Sequence, residues 1–404
     1  MDKKRILTII AFVLIVILAA YGLYYFFFRT EEVPPITITP PAVTPTLPTA
    51  PSVQPSTSPV VPQEEEAPVG QPTTVAEGGP TKVTPLTETF GVSPTVSKVQ
   101  GTVNVYNPRD GKFYQLRDGR QTLLTTKRFF NVSEINWNSE GNKAILGYPD
   151  GSKLYYDFSA NSQVTLPKEM TEPRWNKEGS LLGFKWITNN EDSNWIGVSS
   201  PDGSGITFIE PLGDKGDDVR INWSPDSRIV ATYRKGAGTD SQEVFFIGRS
   251  GENNKSLFVD GRGFESQWSP DGKKLLYSTF QLSGDALPML KITNAGDDST
   301  GFNNVSLDIN TWAYKCVFGD SVTVYCAVPR SLEQGSGLYP ELSLDQPDDF
   351  YKIDLKTGWR SLLAVPVADN GGKVAADQVT LSPDGDSLVF TNRFDGRLLE
   401  LKLR

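Results

Sequence analysis

Five near-copies of one short phrase constrain this chain more than any other feature. Four begin with tryptophan: Trp137-Asn-Ser-Glu-Gly141, Trp175-Asn-Lys-Glu-Gly179, Trp223-Ser-Pro-Asp-Ser227 and Trp268-Ser-Pro-Asp-Gly272. A fifth, Leu381-Ser-Pro-Asp-Gly385, puts leucine in the tryptophan place. A short apolar strand follows each phrase, at 144–148, 181–186, 229–233, 275–277 and 388–390. The first four phrases are 38, 48 and 45 residues apart. A period of this length suits a four-stranded sheet repeated around a ring. The expected fold is therefore all-β, a β-propeller of four-stranded blades.

Turn chemistry explains the phrase. In Ser-Pro-Asp-Gly, proline presets φ at the second position and glycine takes the positive φ that closes the turn. The flanking segments then become adjacent antiparallel strands, and tryptophan at the end of the first fills space between neighbouring sheets. Second hairpins follow, at 153–157 with 163–166 and at 350–354 with 358–362. Val92-Ser93-Pro94, with 102–106, 112–116 and 122–125, reads as a first unit without tryptophan. Cys316-Val-Phe-Gly-Asp320 reads as a sixth, with cysteine in the tryptophan place. Seven units result, starting near 92, 137, 175, 223, 268, 316 and 381. The interval from 316 to 381 is 65 residues, which marks 331–349 as an insertion. The last unit has only three strands, and residues 80–86 are the expected fourth, closing the ring and removing its exposed edges. If the first unit completes the last blade instead, the ring has six blades.

The W-S-P-D-G phrase, its following strand and the hairpin after it resemble the TolB-like family of β-propeller repeats, a WD-like architecture. The resemblance covers residues 86–404, with its clearest copies at 223–233, 268–277 and 381–390. It implies an extracytoplasmic protein that binds other proteins, and it carries no catalytic residue with it. Related propellers accompany prolyl-peptidase domains, but this chain has no G-x-S-x-G nucleophile elbow.

Ahead of the repeats lie two other segments. Residues 6–28 are 23 positions without a charge, long enough for a helix to cross a bilayer. Lys3, Lys4 and Arg5 precede this run, whereas Glu31 and Glu32 follow Arg29. The positive-inside rule keeps residues 1–5 in the cytoplasm and exports everything after Arg29, giving a single-pass cell-membrane protein. A cleaved signal peptide is the alternative, although its apolar region is normally shorter. Residues 29–85 form a Pro/Thr-rich linker, with 14 of the 29 prolines in 31–85. Such a composition predicts a disordered stalk, extended at ~3.1 Å per residue. One anchor, a stalk and a terminal propeller also resemble membrane-anchored bacterial envelope proteins.

The composition excludes much chemistry. The chain has no histidine, which removes serine–histidine and cysteine–histidine nucleophiles and imidazole metal sites. A net charge of −9 opposes nucleic-acid binding. Asp226, Asp271 and Asp384 belong to the repeated turn, where aspartate is favoured for structural reasons. The acidic stretches 214–218, 297–298 and 345–349 read as solvated loops, without the spacing of a recognised calcium loop. No cofactor is expected, although channel carboxylates from different blades would suit calcium.

Two functional readings follow. One is a binding or scaffold module facing a protein or cell-wall partner. The other is a calcium-dependent enzyme, lactonase-like or glycan-cleaving, working with channel carboxylates. Within the insertion, Gly335, Gly337 and Pro340 suggest an excursion that offers Leu338 and Tyr339 as partner contacts. Cys316 and Cys326 fall on adjacent strands on either side of Gly319-Asp320-Ser321, so they can face each other and form a disulfide. Export would permit that oxidation.

Overall fold

The computed structural model describes residues 71–404 apart from 88–91, 98–101 and 118–119, together with Leu14, Ile17, Leu18 and Tyr21. Those four N-terminal residues are helical and exposed. The rest of the 6–28 apolar run, and the linker up to residue 70, lie outside the described residues. No helix among the described residues is long and apolar enough to cross a membrane.

Seven antiparallel sheets follow one another along the chain, numbered here as blades 1–7: 92–123, 134–166, 170–211, 219–260, 262–306, 316–367 and 376–402. Strand order within each blade is sequence order, so every connection inside a blade is a hairpin. First strands abut one another from blade 6 through blades 7, 1, 2 and 3 to blade 4, and the first strand of blade 5 meets the short turn 313–315 that leads into blade 6. The turns joining first to second and third to fourth strands therefore share one face of the ring. Loops joining second to third strands, and one blade to the next, share the other.

The core lies between blades. Leu388 and Phe390 pack with Phe350 and Ala327 of blade 6, whereas Val389 packs with Val103 and Val105 of blade 1. Ile145 faces blade 3 and Leu146 faces blade 1 in the same manner. Successive side chains on a strand point to opposite faces, so a run of consecutive apolar residues serves two interfaces at once. Neighbouring core clusters thus link blade to blade around the ring, and the interface between blades 7 and 1 closes it.

Closure uses two N-terminal strands. Thr84–Pro85 pairs antiparallel with Leu398–Lys402 and supplies the missing fourth strand of blade 7. Gly79–Lys82 does something the repeat did not announce: it adds to the outside of blade 6 as a fifth strand, parallel to Arg360–Val367. Pro80 is tolerated there because an edge strand leaves one row of backbone groups unpaired. Val83, between the two strands, is fully buried. Folded structure therefore starts ahead of residue 86, since Thr73 already bridges to Thr81.

Two other boundaries differ from the sequence reading. Val92–Ser97 is itself the first strand of blade 1, so Ser93-Pro94 is not the turn of that unit. Residues 98–101, between this strand and the next, lie outside the described residues. Asp348 and Asp349 belong to the third strand of blade 6, which shortens the inserted loop at its C-terminal end.

Candidate functional site

The repeated phrase builds scaffold. Ser269 Oγ donates to Asp271 Oδ1 at 2.6 Å and accepts from the Lys274 N–H at 2.9 Å. Equivalent bonds hold Ser224 to Asp226 and Ser382 to Asp384. The Ser382 hydroxyl is the main influence holding the Asp384 carboxyl below its ordinary pKa. Gly272 closes its turn at φ +71°, a conformation an added Cβ would strain. These aspartates spend their oxygens on turn closure.

The tryptophans join blades. Trp175 Nε1 donates to the carbonyl of Asn136 at 2.9 Å, and Trp223 Nε1 to that of Arg174 at 3.0 Å. Each acceptor precedes the tryptophan of the blade before. Gly183 leaves the room that the Trp223 indole occupies, since a Cβ there would come within 2.9 Å of Nε1. Trp137 packs on Phe113 of blade 1 and stacks on Phe158. Trp268 packs on Phe246 of blade 4, but its buried Nε1 has no partner among the described residues. Leu381 packs half-buried against the cluster between blades 6 and 7.

In blade 6, Cys316 and Cys326 are directly opposed and joined as a disulfide, both buried in the cluster shared with blade 5. Trp312, four residues earlier, is buried as well. An indole is thus present near the sixth repeat position, displaced from the place the phrase assigns.

The insertion stands on the loop face. Its Gly335 and Gly337 N–H groups donate to the carbonyls of Asp285 and Ala286, docking it on the 281–288 loop of blade 5. Leu338 is 45% exposed and Tyr339 55%. At its C-terminal end, Lys315 Nζ lies 2.8 Å from both oxygens of Asp348, and both side chains are buried. Asp348 Oδ2 also accepts the Ala376 N–H of blade 7. The 345–349 stretch is accordingly no solvated loop: Asp348 is buried in this pair, and Asp349 bonds Arg330 at 2.9 Å. Burial pushes the Asp348 carboxyl up despite the neighbouring ammonium.

Charged side chains gather on the same face where the first strands begin. Glu134 pairs with Arg174 at 2.9 Å, and Glu172 with the buried Lys185 at 2.5 Å. Arg220 and Arg234 come from blade 4 and Glu265 from blade 5. Arg393 bridges Asp377 of blade 7, at 3.3 Å, and Asp345 of the insertion, at 3.9 Å. Glu265 keeps contact with solvent, yet surrounding protein raises its carboxyl, and the charges of Arg220 and Arg234 only partly oppose this. Burial likewise raises the Tyr314 phenol, reinforced by Glu265 and Asp377. Arg220, Asp218, Glu265 and Glu172 thus lie near Arg234, and Glu265, Asp377 and Arg393 lie near Tyr314. No group of three or more carboxylate or cysteine side chains suited to a metal converges among the described residues.

Apart from Asp345, which lies in the acidic stretch 345–349, none of these residues was singled out in the sequence, although a signal existed. Glu134, Glu172, Arg220 and Glu265 each stand three positions before a repeated tryptophan. Lys315 and Asp348 left no such trace, because their meeting depends on the insertion.

Comparison with known proteins agrees with the architecture. No protein-family model matches the chain, and no curated protein does. Among solved structures, an oligogalacturonate lyase from Vibrio parahaemolyticus is similar at 12% identity with a TM-score of 0.54, covering 82% of this chain and 96% of the other. A chain in the mitotic checkpoint complex is similar at 13% identity and 0.52, over 87% and 98%. TolB from Acinetobacter baumannii matches at 14% identity and 0.40, over 66% of each chain. At such identities the likeness to the lyase and to the checkpoint-complex chain is one of fold alone. The fold is a seven-bladed β-propeller.

Proposed function

We propose that this protein is a membrane-tethered binding module of the cell envelope, which presents the loop face of its propeller to a protein partner. Residues 6–28 serve as the anchor and the Pro/Thr-rich linker as the spacer, with the propeller outside the cytoplasmic membrane. The charge asymmetry around the apolar run supports that orientation. Net negative charge argues against a nucleic-acid ligand.

One observation carries the binding reading. The insertion is not needed to complete blade 6, yet it is held by backbone bonds to blade 5, with Leu338 and Tyr339 left exposed. A preorganised loop loses little entropy on binding, and apolar side chains offered from such a loop suit a protein contact.

A photo-reactive amino acid at Tyr339 tests this in the native cell, with one at Trp359 as the comparison. Trp359 is 70% exposed in the turn between the third and fourth strands of blade 6, on the opposite face. A defined protein adduct from position 339 and none from 359 is the expected result. Adducts of the same protein from both, or none from 339, would count against the loop face. Reporter fusions after Thr30 and at Arg404 test the orientation, and a cytoplasmic signal at Arg404 would reverse it.

A further inference from the structure

We propose that Arg220 and Arg234, drawn together beside the Gly216–Asp218 turn, bind a single side-chain carboxylate of a protein partner. The proposal rests on the protein-binding reading above and names the chemistry of its site.

The geometry of the two arginines is unusual for this face. Arg234 Nη2 donates to the carbonyl of Asp217 at 2.5 Å, and Arg220 Nη1 donates to that same oxygen at 3.4 Å. Arg234 Nε also bonds the Asp218 carbonyl, and Arg220 Nη1 that of Val219. Two positive groups are thus drawn together on main-chain oxygens. Neither has a carboxylate in ion-pair contact among the described residues, whereas Arg174, Lys185 and Arg393 each have one. Each guanidinium carries five N–H donors. Nη1 of Arg234, with Nε and Nη2 of Arg220, has no protein acceptor among the described residues.

The platform beneath them is fixed. Asp217 lies in the short 3-10 turn Gly216–Asp218. Lys185, itself buried, donates to the carbonyls of Gly216 at 2.9 Å and Val219 at 3.4 Å, on either side of the shared oxygen. The arginines are therefore held in place before any ligand arrives, and that preorganisation favours affinity.

Adjoining groups select the anion. A carboxylate matches the fork of a guanidinium, and so does a phosphate. Glu172, Asp218 and Glu265 all lie near enough to influence Arg234, so a doubly charged phosphate meets more repulsion than a single carboxylate. Glu265 opposes the site without contacting either arginine, and it weakens any anion bound there.

The test uses full-length protein in detergent and a capped peptide with one glutamate as its only charged residue, at neutral pH and low salt. Wild-type protein is expected to bind it. Arg220→Gln and Arg234→Gln are each expected to weaken binding by about tenfold, the scale of one charge-assisted hydrogen bond. Arg220→Lys keeps the charge but loses the fork and should also weaken binding. Arg174→Gln, an arginine of the same face already paired with Glu134, should leave binding within about threefold. Glu265→Gln should tighten it. Should Arg234→Gln fail to fold, the Arg220 and Glu265 variants decide the matter. No binding by wild type, an equal loss in Arg174→Gln, or no gain in Glu265→Gln would overturn the proposal. Peptide binding without a partner adduct at Tyr339 would sink the docking reading while sparing the site. An adduct that forms undiminished in Arg220→Gln protein would do the reverse.

Discussion

Replacing Lys315 with methionine probes the least solvated ion pair of the described residues. Lys315 and Asp348 are 1% and 0% exposed, and their partners come from the connection between blades 5 and 6, the end of the insertion and blade 7. Methionine fills most of the lysine volume, so packing is largely kept and the charge is the main loss. Asp348 would retain the Ala376 N–H as a donor but lose both ammonium contacts at 2.8 Å. Leaving one partner of a buried pair uncompensated costs about 3–5 kcal/mol. Replacing both, as Lys315→Met with Asp348→Asn, removes the buried charge and keeps an acceptor for Ala376, so stability should return to within about 1 kcal/mol of wild type. The pH dependence has a definite sign. Burial already holds the folded-state Asp348 carboxyl above its ordinary value of 3.8, and the variant loses the cation that opposes this. Its deficit should be small in acid, where Asp348 is neutral, and grow as pH rises through the raised value. Urea unfolding followed by tryptophan fluorescence across that range measures it. A single variant within about 0.5 kcal/mol of wild type at neutral pH would refute the argument, since changes of that size are ordinary at solvated surfaces.

The remaining predictions concern the ring. Trp223→Phe loses both packing and the 3.0 Å bond to Arg174, whereas Trp268→Phe loses packing alone, so denaturation should find the first costlier by about 1 kcal/mol. Thiol labelling of denatured, unreduced protein from its native compartment should find no free cysteine, and Cys316→Ala with Cys326→Ala should lower stability by at most about 2–3 kcal/mol. Val83→Asp places a charge where blades 6 and 7 meet, and a loss of about 3 kcal/mol or more is expected on unfolding, with faster proteolysis between 71 and 87.

The repeat was legible because its causes are local. A Ser-Pro-Asp-Gly turn, the strand after it and an indole before it lie within about a dozen residues, and turn propensity with strand alternation acts at that range. Seven units, the position of the inserted loop and the opposed cysteines follow from counting such units, whereas the choice of seven blades over six was made by the pairing of the first unit as a blade of its own. Placement across the ring was not legible. Gly79–Lys82 pairs with Arg360–Val367 because the outer edge of blade 6 is open when the N-terminal segment passes it. Nothing in that short segment names its partner. The charged cluster has the same origin: Glu172, Arg220 and Glu265 lie on three different blades and come near Arg234 only because the closed ring brings those blades side by side. Their three-before-tryptophan spacing marked most of them in the sequence, but the curvature that brings them together belongs to the tertiary structure. Lys315 and Asp348 depend on it wholly, since two charges become a buried pair only when the surrounding blades exclude water from both.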